Sequence, residues 1–157
     1  DLNTEIKNLS ASVAFCEHNF YYKKNDMCNL YGIYNAGYIY FNYDETSLKF
    51  LSKYRNLCQK YISWKTEKNK KNIFADQTYL EQLLIEFKNI KIIKNKGINC
   101  APWNIGNYKL IAEKQLFKVD EYKLIFYHFS GIRSLYNKFF FFNLYHYNNK
   151  NLNDKKN

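Results

Sequence analysis

Residues 31–42 read YGIYNAGYIYFN, and this stretch with the segment after it decides the fold class of the 157-residue chain. Its aromatic and β-branched residues favour extended structure. The glycines at 32 and 37 predict two short strands joined by a tight passage at residues 35–37. Asp44 can cap a helix, and apolar residues then recur at helical spacing from Leu48 to about Trp64. Extended structure followed at once by an amphipathic helix is typical of an α/β domain.

The rest of the chain continues this alternation and then clusters its strands. The predicted elements are a buried strand (11–15), an irregular polar stretch (17–30), a helix capped by Asp76 that runs to Phe87, a strand (90–93), a hairpin (108–119), a strand (124–129), and an aromatic helix (134–147). This order predicts a mixed β-sheet flanked by helices.

The composition excludes several classes of protein. With 46% hydrophobic residues, 5 Gly and 1 Pro, the chain is neither collagen-like nor broadly disordered. The net charge of +10 rests on 22 Lys and only 2 Arg. Nucleic-acid binders often use Arg for bidentate phosphate contacts, so the excess of Lys, Asn, Tyr, Phe and Ile indicates A/T-rich coding instead. Nucleic acid is therefore not the expected partner.

The sequence also indicates where the chain works. No apolar run approaches the ~20 residues that span a bilayer, and the start at Asp1 lacks the features of a signal peptide. These patterns predict a cytoplasmic protein with no transmembrane segment, and they leave peripheral membrane association open. The cysteines at 16, 28, 58 and 100 match no zinc-binding spacing, which predicts reduced and mostly buried thiols.

Four short segments use residue types that the biased composition does not favour. They are residues 34–38 (YNAGY), 75–80 (ADQTYL), 97–104 (GINCAPWN) and 127–131 (YHFSG). Gly37 allows close approach of a ligand to the backbone, and Asn35 offers both a donor and an acceptor to sugar hydroxyls. Taken alone, this segment is better explained by a bend at the start of a strand with a hydrogen-bonded Asn.

The other segments also carry two interpretations each. Asp76 is a good helix cap, or with Gln77 it stabilises charge at the mouth of a cleft. His128 follows an apolar run, where an imidazole is either a metal ligand or an ordinary half-buried histidine. No nucleophile elbow, phosphate-binding loop or dinucleotide fingerprint occurs in the sequence.

The order and spacing of these segments resemble the C-terminal half of a bacterial glycosyltransferase with the GT-A fold, the nucleotide-diphospho-sugar transferase superfamily. The match covers about residues 10–133 and is carried by residues 34–39, 75–80, 97–104 and 124–131, with the helix that includes Trp64. It implies a partial GT-A-like domain over residues 1–147, followed by a disordered polar tail over 148–157. The N-terminal nucleotide-binding unit of the family, with its Asp-x-Asp motif, is absent from this sequence.

The resemblance implies a site, a cofactor and partners. The implied site residues are Asp76 and Gln77 as catalytic groups, Asn35, Ala36, Gly37, Trp103, Asn104 and Gly131 as sugar-binding groups, and His128 as a metal ligand. The implied cofactor is a divalent metal, Mn²⁺ or Mg²⁺, which would neutralise a leaving diphosphate. The implied partners are a nucleotide-sugar donor and a saccharide or glycolipid acceptor.

Sequence analysis therefore predicts a glycosyltransferase fragment that acts in polysaccharide biosynthesis. A non-enzymatic carbohydrate-binding or degenerate transferase-like protein is the main alternative. A basic RNA-binding module with stacking aromatic residues is a further one, and it predicts strongly salt-dependent RNA binding.

Overall fold

The computed structural model describes residues 2, 4, 8–21, 23–60, 75–113, 116–135 and 139–142. The chain is a mixed α/β protein that divides into two compact units. The first unit comprises residues 1–18 and 25–95, and the second comprises residues 19–24 and 96–157. The finer predictions of one GT-A-like domain and of a disordered tail stay predictions, and residues 148–157 lie outside the described part.

The first unit is built on a three-stranded sheet. Its strands are β1 (Val13–Glu17), β2 (Tyr34–Phe41) and β3 (Ile90–Ile93), in the order β2-β1-β3. β1 pairs antiparallel with β2 and parallel with β3, which confirms the predicted mixed sheet. Central β1 is VAFCE, with its first four residues buried, as expected for a strand enclosed on both faces.

Strand β2 is one strand with a bulge, where the sequence predicted two pieces. Phe15 pairs with Ile39 while the next residue, Cys16, pairs with Asn35. Residues 36–38 therefore have no partner on β1, and we call these three residues the bulge. The tight passage predicted at residues 35–37 overlaps the first two residues of the bulge.

The first unit also contains the helices α1 (Lys24–Tyr31), α2 (Glu45–Lys60) and α3 (Tyr79–Glu86). The irregular stretch predicted for residues 17–30 is wrong over residues 24–30, which form α1. Asp26 lies in the first turn of this helix, where an acidic side chain is favourable. The cap of α2 is confirmed, since the Ser47 amide donates to Asp44 Oδ1 at 2.8 Å. This hydrogen bond is the main cause that lowers the pKa of Asp44. The predicted end of this helix at Trp64 lies outside the described residues.

The predicted cap of α3 is wrong. The helix begins at Tyr79, and Thr78 precedes it without a side-chain capping bond. Asp76 lies two residues further upstream, in a turn that includes residues 75–78, and the φ of Ala75 is 52°. It accepts a hydrogen bond from the Tyr79 amide with its backbone carbonyl at 3.2 Å. The Asp76 carboxylate is therefore not used to cap the helix.

The core of the first unit lies between β1 and the helices α2 and α3. It consists of Val13, Phe15, Phe50, Tyr79, Leu80 and Leu83. Val13 and Phe15 alternate along β1 and so share one face of the sheet, while the other core residues come from the two helices. The apolar positions predicted for α3, among them Leu80 and Leu83, are buried in this core. The pattern predicted for α2 began at Leu48 and is wrong there, because Leu48 is 50% exposed and the core residue is Phe50.

Gly32 ends α1 in a conformation that other residues rarely adopt. Its φ is +86°, and its amide donates to the Cys28 carbonyl at 2.8 Å. We expect Gly32→Ala to lower the free energy of unfolding by about 1–2 kcal/mol, because a Cβ is strained at positive φ. Urea denaturation measures the change. The control is Gly37→Ala, at an exposed position without positive φ, which should change stability by less than about 0.5 kcal/mol.

The second unit contains two antiparallel sheets. One has β4 (Leu110–Glu113), β5 (Leu116–Val119) and β6 (Tyr122–Lys123), and the other has β7 (Ile132–Leu135) and β8 (Phe139–Phe142). The hairpin predicted for residues 108–119 is confirmed. The helix predicted for residues 134–147 is wrong over residues 134–135 and 139–142, which belong to the paired strands β7 and β8. Phenylalanine, which forms all of β8, is favoured in strands. Residues 143–147 lie outside the described part.

The predicted strand at 124–129 is also wrong. Only Tyr127 forms a bridge, to Cys100, in this segment. The amides of Ile125 and Phe126 donate instead to the Gly97 carbonyl, at 2.8 and 3.1 Å. This apolar run therefore lies along a loop and is only half-buried, and its apolar composition alone does not show which partner its backbone will bond to.

Candidate functional site

The first unit brings two of the predicted segments into contact. Asn35 from β2 donates through Nδ2 to Gln77 Oε1 at 3.4 Å, although 42 positions separate the two residues. Gln77 is held in turn by Tyr31, whose carbonyl accepts from Gln77 Nε2 at 2.8 Å. Residues 35 and 77, chosen from separate motifs, are therefore neighbours in the fold.

His18 belongs to the same cluster, and sequence analysis assigned it no role. Its Nε2 lies 2.9 Å from Asn35 Nδ2, and its Nδ1 lies 3.0 Å from the Gly32 carbonyl. We call His18, Asn35 and Gln77 the amide–imidazole network. All three side chains are buried, with exposed fractions of 3%, 5% and 9%. In the sequence, the only feature that could have identified His18 as a site residue was its position just after the buried strand β1.

The bulge lies next to this network. Asn35 Oδ1 accepts a hydrogen bond from the Gly37 amide at 2.8 Å, which ties the network directly to the bulge. Gly37 is exposed and Ala36 is half-buried. A backbone without Cβ at an exposed bulge can be approached closely by a ligand, as the sequence predicted for Gly37.

Asp76 lies beside α2. Its negative charge is a cause, after burial, that raises the pKa of Tyr54 and of Cys58, so its carboxylate is near both side chains. Asp76 itself is half-buried and next in sequence to Gln77. The Asp76 carboxylate is thus placed against α2, whereas the Gln77 side chain contacts Asn35.

The second unit holds the remaining predicted site residues. The Trp103 and His128 rings meet edge to face, with centroids 4.9 Å apart. Trp103 is only 6% exposed, so a sugar would have to displace neighbouring side chains to stack on its indole. The Asn104 side chain bonds to the backbone of the loop that contains it: its Oδ1 accepts from the Ala101 amide at 2.8 Å, and its Nδ2 donates to the Asn99 carbonyl at 3.1 Å. Gly131 lies in a turn before β7 with a φ of 77°.

The predicted metal ligand is His128. Burial lowers the pKa of its imidazole, which favours the neutral form that binds metals. Its Nδ1 lies 3.3 Å from Asn99 Oδ1. Within the part of the chain that the structure describes, however, no group of three or more His, Cys, Asp or Glu side chains could hold a metal ion. These residues do not by themselves fit the predicted metal, and the divalent cation stays a prediction.

All four cysteines are described and all are free thiols. Cys16 and Cys100 are buried, while Cys28 and Cys58 are partly exposed. The prediction of reduced thiols is consistent with this arrangement, and half of them are buried. None of the helices described is both long and apolar enough to cross a membrane.

The fold and the cluster define a mixed α/β protein with a buried amide–imidazole network beside a glycine-bearing bulge. Two proteins of Bacillus subtilis strain 168 are similar to it. The uncharacterized protein YfnD is 32% identical over 100 residues, which cover 64% of this chain and 32% of YfnD. The uncharacterized protein YfnF is 32% identical over 105 residues, which cover 66% of this chain and 34% of YfnF.

The chain spans about a third of the length of these curated relatives. Their names state no activity. No protein-family model matches the chain, and no solved structure matches it.

Proposed function

We propose that this chain forms the sugar-binding part of a glycosyltransferase of the GT-A type. In this proposal the protein transfers a sugar from a nucleotide-sugar donor to a saccharide or glycolipid acceptor, with a divalent metal that neutralises the leaving diphosphate. The observation that carries it is the hydrogen bond between Asn35 and Gln77. Two motifs that the resemblance assigns to sugar binding and to catalysis thus meet in one cluster.

Further support comes from the chemistry of that cluster. Glycosyl transfer develops positive charge at the reacting sugar carbon, and a nearby carboxylate or amide oxygen stabilises that charge. Asp76 and Gln77 offer these two groups in adjacent positions. The backbone carbonyls of the bulge would accept hydrogen bonds from sugar hydroxyls, since the bulge residues have no partner on β1.

The test measures nucleotide release from a panel of nucleotide-sugars, with Mn²⁺ and with a chelator, on the full-length gene product. We expect Asp76→Asn to lower the rate by about 100-fold or more, which is typical for loss of one charge-stabilising group. Asp26→Asn is the matched control, because Asp26 is exposed on α1 and should leave the rate unchanged.

Three outcomes would count against the proposal. Full activity in Asp76→Asn would remove Asp76 from the catalytic groups. Saturable sugar binding without any nucleotide release would favour the carbohydrate-binding alternative. Salt-dependent RNA binding without sugar binding would favour the RNA-binding module.

A further inference from the structure

The orientation of the Asn35 amide is fixed by its neighbours. The Gly37 amide can only donate, so the atom it meets at 2.8 Å must be the Asn35 oxygen. The Asn35 nitrogen then faces His18 Nε2 at 2.9 Å and Gln77 Oε1 at 3.4 Å. Both directions suit an NH₂ group, which carries two hydrogens to donate.

The orientation of the Asn35 amide determines which ring nitrogen of His18 carries the proton. Since Asn35 Nδ2 can only donate, His18 Nε2 must accept and therefore carries no proton. The Gly32 carbonyl can only accept, so His18 Nδ1 must carry the proton. The two contacts independently require the same neutral tautomer, and an imidazolium would direct an N–H at the Asn35 NH₂ group.

The arrangement also separates two roles within the site. The Asn35 NH₂ group is directed at His18 and Gln77, and the side chain is 5% exposed. The exposed group is the backbone at Gly37, whose amide Asn35 holds. A ligand would thus meet the bulge, and the buried side chains would set the geometry of that bulge.

We propose that His18 is a positioning residue for a sugar-binding bulge. Its neutral imidazole, anchored on the Gly32 carbonyl, holds the Asn35 amide in one orientation, and Asn35 in turn presets the backbone at Gly37 for the hydroxyl groups of a sugar. The sugar as ligand rests on the proposed function, whereas the positioning of the bulge rests on the hydrogen bonds alone.

The first test reads the tautomer directly in the unmodified protein. Long-range ¹H–¹⁵N correlation spectra of ¹⁵N-histidine-labelled protein at pH 7 should show a protonated Nδ1 and an unprotonated Nε2 for His18. The spectrum of His18→Gln, which lacks these signals, assigns them. The opposite tautomer, or an imidazolium at pH 7, would overturn the proposal.

The second test uses two variants, each of which keeps one of the two hydrogen bonds that the His18 imidazole makes. His18→Gln places an amide oxygen near the Nε2 position and can still accept from Asn35. His18→Asn places its amide near the Nδ1 position and can still donate to Gly32. We expect the Gly37 amide resonance to stay close to wild type in His18→Gln and to shift in His18→Asn.

The same pair is measured for donor KM in the nucleotide-release assay. We expect His18→Gln to stay within about 3-fold of wild type and His18→Asn to raise KM about 10-fold, the worth of roughly one hydrogen bond. An equal effect of both variants, or a larger effect of His18→Gln, would show a purely structural role for His18. If wild type releases no nucleotide, the proposed function fails, and the Gly37 resonance still decides the positioning role.

Discussion

Replacing Phe50 by alanine is expected to lower the free energy of unfolding by about 3–5 kcal/mol. Phe50 lies on α2, its side chain is fully buried, and its ring meets those of Phe41 and Phe87 at centroid distances of 6.0 and 5.3 Å. Truncation removes these contacts and leaves a cavity between the helices and the sheet, which the neighbours fill only in part. Urea denaturation followed by circular dichroism measures the change.

Leu48→Ala is the matched control for this prediction. Leu48 lies two positions earlier on the same helix and is 50% exposed, so its truncation should cost less than about 1 kcal/mol. Comparable losses in the two variants would contradict the assignment of the core to the Phe50 face of α2.

The second large effect is expected in the reactivity of the thiols. Burial, with a smaller effect of Glu17, raises the pKa of Cys16 to about 12, and burial raises that of Cys100 to about 11. Iodoacetamide attacks the thiolate, whose fraction at pH 8 falls about 1000-fold when the pKa rises from 9.0 to about 12. We therefore expect Cys28 to be alkylated at least 100-fold faster than Cys16 in the native protein.

Mass spectrometry of peptides from timed alkylation measures each site separately. The control repeats the reaction in concentrated urea, where all four thiols should react at similar rates because burial is lost. Rapid alkylation of Cys16 in the native protein would show that β1 is not enclosed as the structure describes.

The regions that sequence reasoning predicted well are those in which local signals agree with each other. Helix α2 was predicted to follow an acidic cap at Asp44, and both the cap and the helix are present in the structure. Strands β1 and β3 are short apolar runs bounded by polar residues. In these segments propensity, periodicity and burial favour the same conformation, so no distant contact has to override them.

The wrong predictions fall where short apolar or aromatic segments have two stable conformations. The segment at 124–129 has the composition of a strand, yet its backbone bonds to the Gly97 loop. Residues 134–147 have an aromatic pattern that also fits a helix, yet residues 134–135 and 139–142 pair within β7 and β8. The conformation of these segments depends on partners that are distant in the sequence, and a local pattern carries no information about such partners.

The candidate site shows the same division. The motifs singled out Asn35, Gly37, Asp76 and Gln77 because these residue types stand out from a Lys- and Asn-rich background. The sequence did not show that Asn35 faces inward, that Asp76 leaves the cap of α3 unused, or that His18 completes the cluster.

By itself, the sequence determined the mixed α/β class, the apolar face of α3 and the residues that could carry chemistry, because these depend on composition and on local periodicity. Only the tertiary structure decided which of those residues meet. Hydrogen bonds between Asn35 and Gln77, and between Asn35 and His18, join residues 42 and 17 positions apart. Such contacts form only after β1, β2 and the turn before α3 have packed, since folding and not chain proximity brings their polar groups within bonding distance.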